Sequence, residues 1–136
     1  MTDGVVVAVD GPDDIVTARQ AGHAMAVDLG FSLTDVTMIA TAISEVARNI
    51  TSYAGHGEVR LNVDRRDGRE ALVVEAVDQG PGIEDIARAM EDGFSTSSGL
   101  GLGLPGARRL MDGLQVQSER GHGTLVTMWK WVPKSA

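Results

Sequence analysis

Seven of the chain's seventeen glycines fall within the 27 residues from Gly80 to Gly106. Glycine loses more backbone freedom on folding than any other residue. So dense a cluster belongs where the chain needs unusual dihedrals, or where backbone closely approaches something else. It has two parts, Asp78-Gln79-Gly80-Pro81-Gly82 and Gly99-Leu100-Gly101-Leu102-Gly103-Leu104-Pro105-Gly106. The second contains G-x-G-x-x-G at Gly101, Gly103 and Gly106. In a doubly wound fold that pattern follows a strand within a βαβ unit, and a later acid holds the ribose. Here it follows Phe94-Ser95-Thr96-Ser97-Ser98, a poor strand, and only thirty residues remain after Gly106. The dinucleotide-binding reading fails on context. G-x-x-x-x-G-K-[ST] is absent, so the P-loop fails as well.

Composition narrows the class further. The length of 136 residues predicts one domain spanning 1–136. Hydrophobic residues at 43% and charged residues at 23% are those of a globular chain, not a disordered one. There is no cysteine, which excludes disulfides, thiol catalysis and Cys-ligated zinc. Twelve Lys+Arg against nineteen Asp+Glu leave a net charge of −7. Such a field is poorly suited to gripping nucleic acid or an anionic membrane. No charged-then-apolar leader opens the sequence, and no apolar run approaches the ~20 residues of a membrane helix. The expectation is a soluble, cytoplasmic protein with neither nucleic acid nor membrane as partner.

Periodicity and turn residues set the element order. Val5–Val9 is a β-branched run ended by Asp10-Gly11-Pro12. Asp13 or Asp14 can cap a helix reaching Leu29, with Ile15, Ala18, Gly22, Met25 and Leu29 along one stripe. Ser32-Leu33-Thr34-Asp35 opens a second helix, to about Tyr53, whose stripe is Val36, Ile39, Ala40, Ile43, Ala47 and Ile50. A hairpin follows: Glu58–Asp64, a turn at Arg65–Gly68, then Glu70–Val77, with Leu72-Val73-Val74 reading as buried on both faces. A short helix at about Glu84–Met90 precedes a polar stretch from Glu91 to Gly103. A last helix, about Leu104–Met111, accepts Pro105 in its first turn, where the missing N–H costs nothing. Gln115–Glu119 and Thr124–Val132 close the chain as strands. Helices cluster rather than alternate with strands, which predicts an α+β sandwich with one mostly antiparallel sheet and helices on one face.

Three groups of residues can carry chemistry. On the second helix Thr41, Glu45, Asn49 and Ser52 lie opposite the apolar stripe, and Glu45 and Asn49 are one turn apart. A carboxylate beside a carboxamide can supply a general base and a hard oxygen ligand; taken alone it is equally a solvated helix face. Asp78, at the end of a buried strand with glycines beyond it, can accept from an amino edge of a ligand, or simply make a turn. The glycine ladder before Leu104 can offer free N–H groups to phosphate, or serve as a flexible loop. His23, His56 and His122 lack metal-ligand spacing and read as surface residues. Met25, Met38, Met90 and Met111 read as core. Trp129 and Trp131, two apart, share one face of the last strand, where packing is the default and partner contact the alternative.

In chain order, Glu45-x-x-x-Asn49, Asp78-x-Gly80-x-Gly82, a Ser/Thr-Gly loop, Gly99-x-Gly101-x-Gly103 and Gly123-Thr124 resemble the GHKL family of ATP-binding domains. Within it, Glu45–Asn49, Asp78–Ile83, Glu91–Thr96 and Gly99–Gly106, with Arg109-Leu110-Met111-Asp112, look like the RsbT-type serine-protein kinases. The likeness runs from about Asp14 to Trp131.

The resemblance implies a Bergerat-type two-layer sandwich with a mixed, mostly antiparallel sheet. It implies ATP as cofactor, with Asp78 reading the adenine amino group and Thr124 nearby. Asn49 would help hold Mg²⁺ and Glu45 would be the catalytic base. Gly80, Gly82, Ser95, Thr96, Gly99, Gly101, Gly103 and Leu104 would bind nucleotide, and Glu91–Gly99 would form a lid. Arg48 would steady lid or phosphates, or be a plain surface charge. The implied reaction is phosphorylation of a Ser or Thr on a STAS-domain antagonist in a bacterial stress-response or stressosome pathway. The freed kinase would then bind the regulatory domain of a serine phosphatase. The alternative is an anti-sigma factor kinase that sequesters a sigma factor, and homodimerisation stays open.

Overall fold

The structure, a computed structural model, describes residues 4–80, 104–119 and 121–133. The elements expected at Glu84–Met90 and Glu91–Gly103, and Met90 with them, lie outside those residues. The described order is β1 (Val5–Val9), α1 (Pro12–Asp28), α2 (Leu33–Asn49), a π turn (Ile50–Ala54), β2 (Gly57–Arg66) and β3 (Arg69–Asp78). Then come α3 (Leu104–Leu110), β4 (Gly113–Glu119) and β5 (Gly123–Trp131).

The five strands form one sheet in the order β1-β2-β3-β5-β4, antiparallel at every described pairing. Period-two alternation sends one set of side chains inward. Val7, Val9, Val59, Leu61, Leu72, Val74, Ala76, Val126 and Met128 are all buried with the helices in a single core. The other face carries Val73, Thr127, Trp129 and Trp131, half-buried. Val73 therefore departs from the expectation of a strand buried on both faces, because the described helices cover only one. Trp129 and Trp131 do share a face: the Trp129 indole lies across Gly113, and the Arg69 guanidinium sits 4.8 Å over the Trp131 ring.

All six residues of the predicted stripe are buried, Val36 to Ala47 within α2 and Ile50 as the first residue of the π turn. So are Ala42 and Val46 on its flanks, since α1 and α3 enclose it alongside the sheet. Helix α1 can come close because it presents Gly22 where any β-carbon would run into the Ile43 side chain. Helix α3 is held at its C-terminal end by β5, where Lys130 Nζ donates to the Leu110 carbonyl at 3.0 Å. The Trp131 N–H donates to Asp112 Oδ2 at 2.7 Å.

Local chemistry explains where boundaries differ from expectation. Helix α1 starts at Pro12 behind Gly11, and Asp14 acts from its third position, accepting from the N–H groups of Asp10 (2.8 Å) and Gly11 (3.2 Å). Ser32 caps α2 as expected, accepting from Asp35 N–H. The β2–β3 turn shrinks to Asp67-Gly68, both at positive φ (53° and 78°), the two-residue hairpin turn that continues strand twist. Helix α2 ends at Asn49 rather than near Tyr53. There Gly55 N–H donates to Ile50 O at 2.8 Å, five residues back, which widens the last turn.

Candidate functional site

Asp78 is the last residue of β3. Its Oδ1 accepts the Gly80 N–H at 2.9 Å, an Asx turn that swings the chain off the sheet. The residue is half-buried. It opens on a surface depression of about 380 Å³ lined also by Gln79, Ser118, His122, Gly123 and Thr124.

The end of α2 is bolted to this turn through two glycines. Gly57 pairs with Asp78 across the β2–β3 ladder. A β-carbon on Gly57 would stand 2.9 Å from Ile50 Cγ2 and 3.2 Å from Asp78 Cβ. One on Gly80 would stand 2.7 Å from Ala54 Cβ. The π turn therefore lies directly on the first glycine box, and Asn49, half-buried, is the residue just before it. π turns recur at functional sites for this reason: they re-aim the residues around them. Glu45, one helical turn earlier, is 32% exposed and takes a 2.9 Å ion pair from Arg48.

On the far side, Thr124 faces Asp78 in the β3–β5 register and Ser118 in the β4–β5 register. The Thr124 and Ser118 hydroxyl oxygens are 2.9 Å apart, and Ser118 Oγ donates to the Gly123 carbonyl at 3.0 Å. Gly123 has φ +89°, and a β-carbon there would sit 3.0 Å from both Asp78 C and Gln79 Cα. Glycine is needed at that position twice over, for its dihedral and for its lack of bulk.

The structure thus brings Asn49, Asp78, Gly80 and Thr124 around one end of the sheet, with Glu45 a turn back along α2. Gly82, Ser95, Thr96, Gly99, Gly101 and Gly103 lie outside the described residues. Leu104, the first residue of α3, is fully buried. His23, His56 and His122 are exposed as expected. Met25 and Met111 are buried, and Met38 is half-buried. Among the described residues no three or more His, Cys, Asp or Glu gather to hold a metal. A single carboxamide oxygen at Asn49 fits a cation that keeps mostly phosphate oxygens and water, the habit of Mg²⁺.

Ser118 was not singled out by motif. Its signal is register alone: once the two closing strands pair across a short loop, Ser118 must meet Thr124.

A two-layer sandwich with an acid-glycine turn at a sheet end, seated on a helix that carries a carboxamide, defines a class. Residues 34–134 match the family described as histidine kinase-, DNA gyrase B- and HSP90-like ATPase, and the chain belongs to that family. Within it, the chain is 49% identical to the serine/threonine-protein kinase RsbT of Bacillus subtilis (strain 168), over 97% of this chain and 99% of that protein. It is 32% identical to an anti-sigma F factor of Caldanaerobacter subterraneus, over 87% of this chain and 85% of the relative. It is 34% identical to an anti-sigma F factor of Clostridium botulinum (strain Eklund 17B / Type B), over 83% and 82%.

Proposed function

We propose that this chain, a serine/threonine-protein kinase of the RsbT type, transfers the γ-phosphoryl group of MgATP to a Ser or Thr of a STAS-domain antagonist. It acts as one kinase domain over 1–136, in the cytoplasm of a bacterium that uses partner switching. After transfer the released kinase binds the regulatory domain of a serine phosphatase and activates it. The observation that carries the reading is the seam between the π turn and Gly57 and Gly80, which joins the Glu45–Asn49 turn to Asp78.

The base of the nucleotide sits against Asp78 and Thr124, with Gly80 and Gly82 letting backbone come close. Phosphate binding falls, through the motif resemblance, to Ser95, Thr96, Gly99, Gly101, Gly103 and Leu104. Asn49 would hold Mg²⁺ through its carboxamide oxygen, and the ion when bound would offset phosphate charge. Glu45 takes the acceptor hydroxyl's proton as the new O–P bond forms. The bond from γ-phosphorus to the bridging oxygen breaks, and ADP leaves. Arg48 must first release Glu45. A half-exposed i,i+3 pair is worth about 0.2–0.5 kcal/mol, so release costs little and frees a guanidinium for phosphate.

Incubation with labelled MgATP and candidate STAS proteins, followed by phosphosite mapping, tests the reading. Label on one Ser or Thr of a STAS protein supports it. Label released only as inorganic phosphate, together with stable capture of a sigma factor, overturns it in favour of a sequestering role.

A further inference from the structure

Ser118 and Thr124 stand opposite each other at the end of the β4–β5 ladder, with their hydroxyl oxygens 2.9 Å apart. Ser118 Oγ is also 3.0 Å from the Gly123 carbonyl oxygen. A carbonyl only accepts and a serine hydroxyl has one proton, so both contacts are hydrogen bonds only when that proton goes to Gly123. The contact between the two hydroxyls is then a hydrogen bond only if Thr124 is its donor. With these two contacts made as hydrogen bonds, the one proton of Thr124 is committed away from the ligand. Thr124 Oγ1 meets a ligand with lone pairs alone. Asp78, opposite Thr124 in β3, already accepts from Gly80 through Oδ1 and has a second carboxylate oxygen.

We propose that Ser118 is a positioning residue that sets the base selectivity of this site by fixing the direction of the Thr124 hydroxyl. The inference rests on the nucleotide-binding reading above. Two acceptors at one end of the depression suit a base edge that brings N–H donors, as the amine of adenine does. A carbonyl at the same ring position would set lone pairs against lone pairs. The rule survives an intervening water. A water donating to Thr124 has its second proton for the unprotonated ring nitrogen of adenine, whereas hypoxanthine carries a proton there. Loss of the Ser118 hydroxyl leaves Thr124 free to turn its proton toward the ligand and to accept the carbonyl base.

The experiment is calorimetric titration of ADP and IDP into the full chain, as wild type, Ser118→Ala, Ser118→Thr, Thr124→Val and the Ser118→Ala/Thr124→Val pair. A ratio of two affinities in one protein cancels any general loss of stability. Wild type should prefer ADP, and Ser118→Ala should narrow the ADP:IDP ratio roughly three- to tenfold, one hydrogen bond's worth. Ser118→Thr, which keeps the hydroxyl, should retain the wild-type ratio. In the Thr124→Val background, Ser118→Ala should change nothing further. If Ser118→Ala fails to fold, Ser118→Cys carries the same comparison with a weaker donor. A selective wild type whose ratio Ser118→Ala leaves unchanged, or narrows equally without Thr124, overturns this inference alone. Equal affinity of wild type for both nucleotides also overturns it. A wild type that binds neither nucleotide overturns the functional reading and this inference together.

Discussion

Gly80 rests against Ala54 so closely that a β-carbon on the glycine would come 2.7 Å from Ala54 Cβ and 2.9 Å from its Cα. Both distances are well inside ordinary contact, and one involves backbone that cannot rotate away. Gly80→Ala must therefore push the first glycine box off the π turn. The expected cost is about 1–3 kcal/mol, shared between stability and nucleotide affinity. Ala54→Gly in the same chain should restore part of it. Thermal melts and ADP titration of the single and double variants measure both shares.

Asp78→Asn exchanges one acceptor oxygen for a donor at the sheet end. With an adenine amine opposite, donor would meet donor, and affinity for ATP and ADP should fall tenfold or more, about 1.5–3 kcal/mol. Unchanged calorimetric affinity would remove Asp78 from the base contact and leave it only its turn with Gly80.

Glu45 and Asn49 should separate chemistry from binding. Glu45→Ala should lose phosphoryl transfer by about 10²–10⁴-fold while keeping nucleotide affinity, because a base acts mainly in the transition state. Asn49→Ala should also weaken Mg²⁺-dependent ATP binding. Single-turnover transfer and titration with and without Mg²⁺ make the distinction. Wild-type transfer by Glu45→Ala would leave that residue as one half of a surface ion pair with Arg48.

Gly121 and Gly123 have nearly the same dihedral, φ +82° and +89°, but different surroundings. Nothing lies within 4 Å of a β-carbon on Gly121, while one on Gly123 collides with the Asp78–Gln79 backbone. Gly121→Ala should cost only the left-handed penalty, about 1–2 kcal/mol. Gly123→Ala should cost clearly more, and should weaken nucleotide binding as well because it displaces Asp78. Equal losses in denaturant melts would show that the contact with Asp78 relaxes freely.

Phosphorylation should release the substrate. The product phosphate adds nearly two negative charges next to Glu45, on a chain already at −7. A serine-to-aspartate mimic of the antagonist should bind more weakly than the unmodified protein, and should compete less with a phosphatase regulatory domain in a pull-down. Equal binding of both forms would leave a kinase without a switch.

Much of this molecule was legible along the chain because it is decided within a few residues. The α2 stripe follows from the 3.6-residue period. The shared face of Trp129 and Trp131 follows from the strand period, and the Asp78–Gly80 turn from Asx chemistry. Those signals place Glu45 beside Asn49 and Asp78 beside its glycines. They cannot place one pair against the other, because no period spans the residues between Asn49 and Asp78. That meeting depends on the β2–β3 register, which sets Gly57 opposite Asp78, and on the π turn that lays Ile50 and Ala54 over both glycines. The Ser118–Thr124 pair is of the same kind: each hydroxyl carries no signal in its own strand, and only the β4–β5 pairing brings the two within 2.9 Å. Local propensity is a property of neighbours in sequence, whereas a site at a sheet end is a property of strands brought together, and that pairing is a tertiary event.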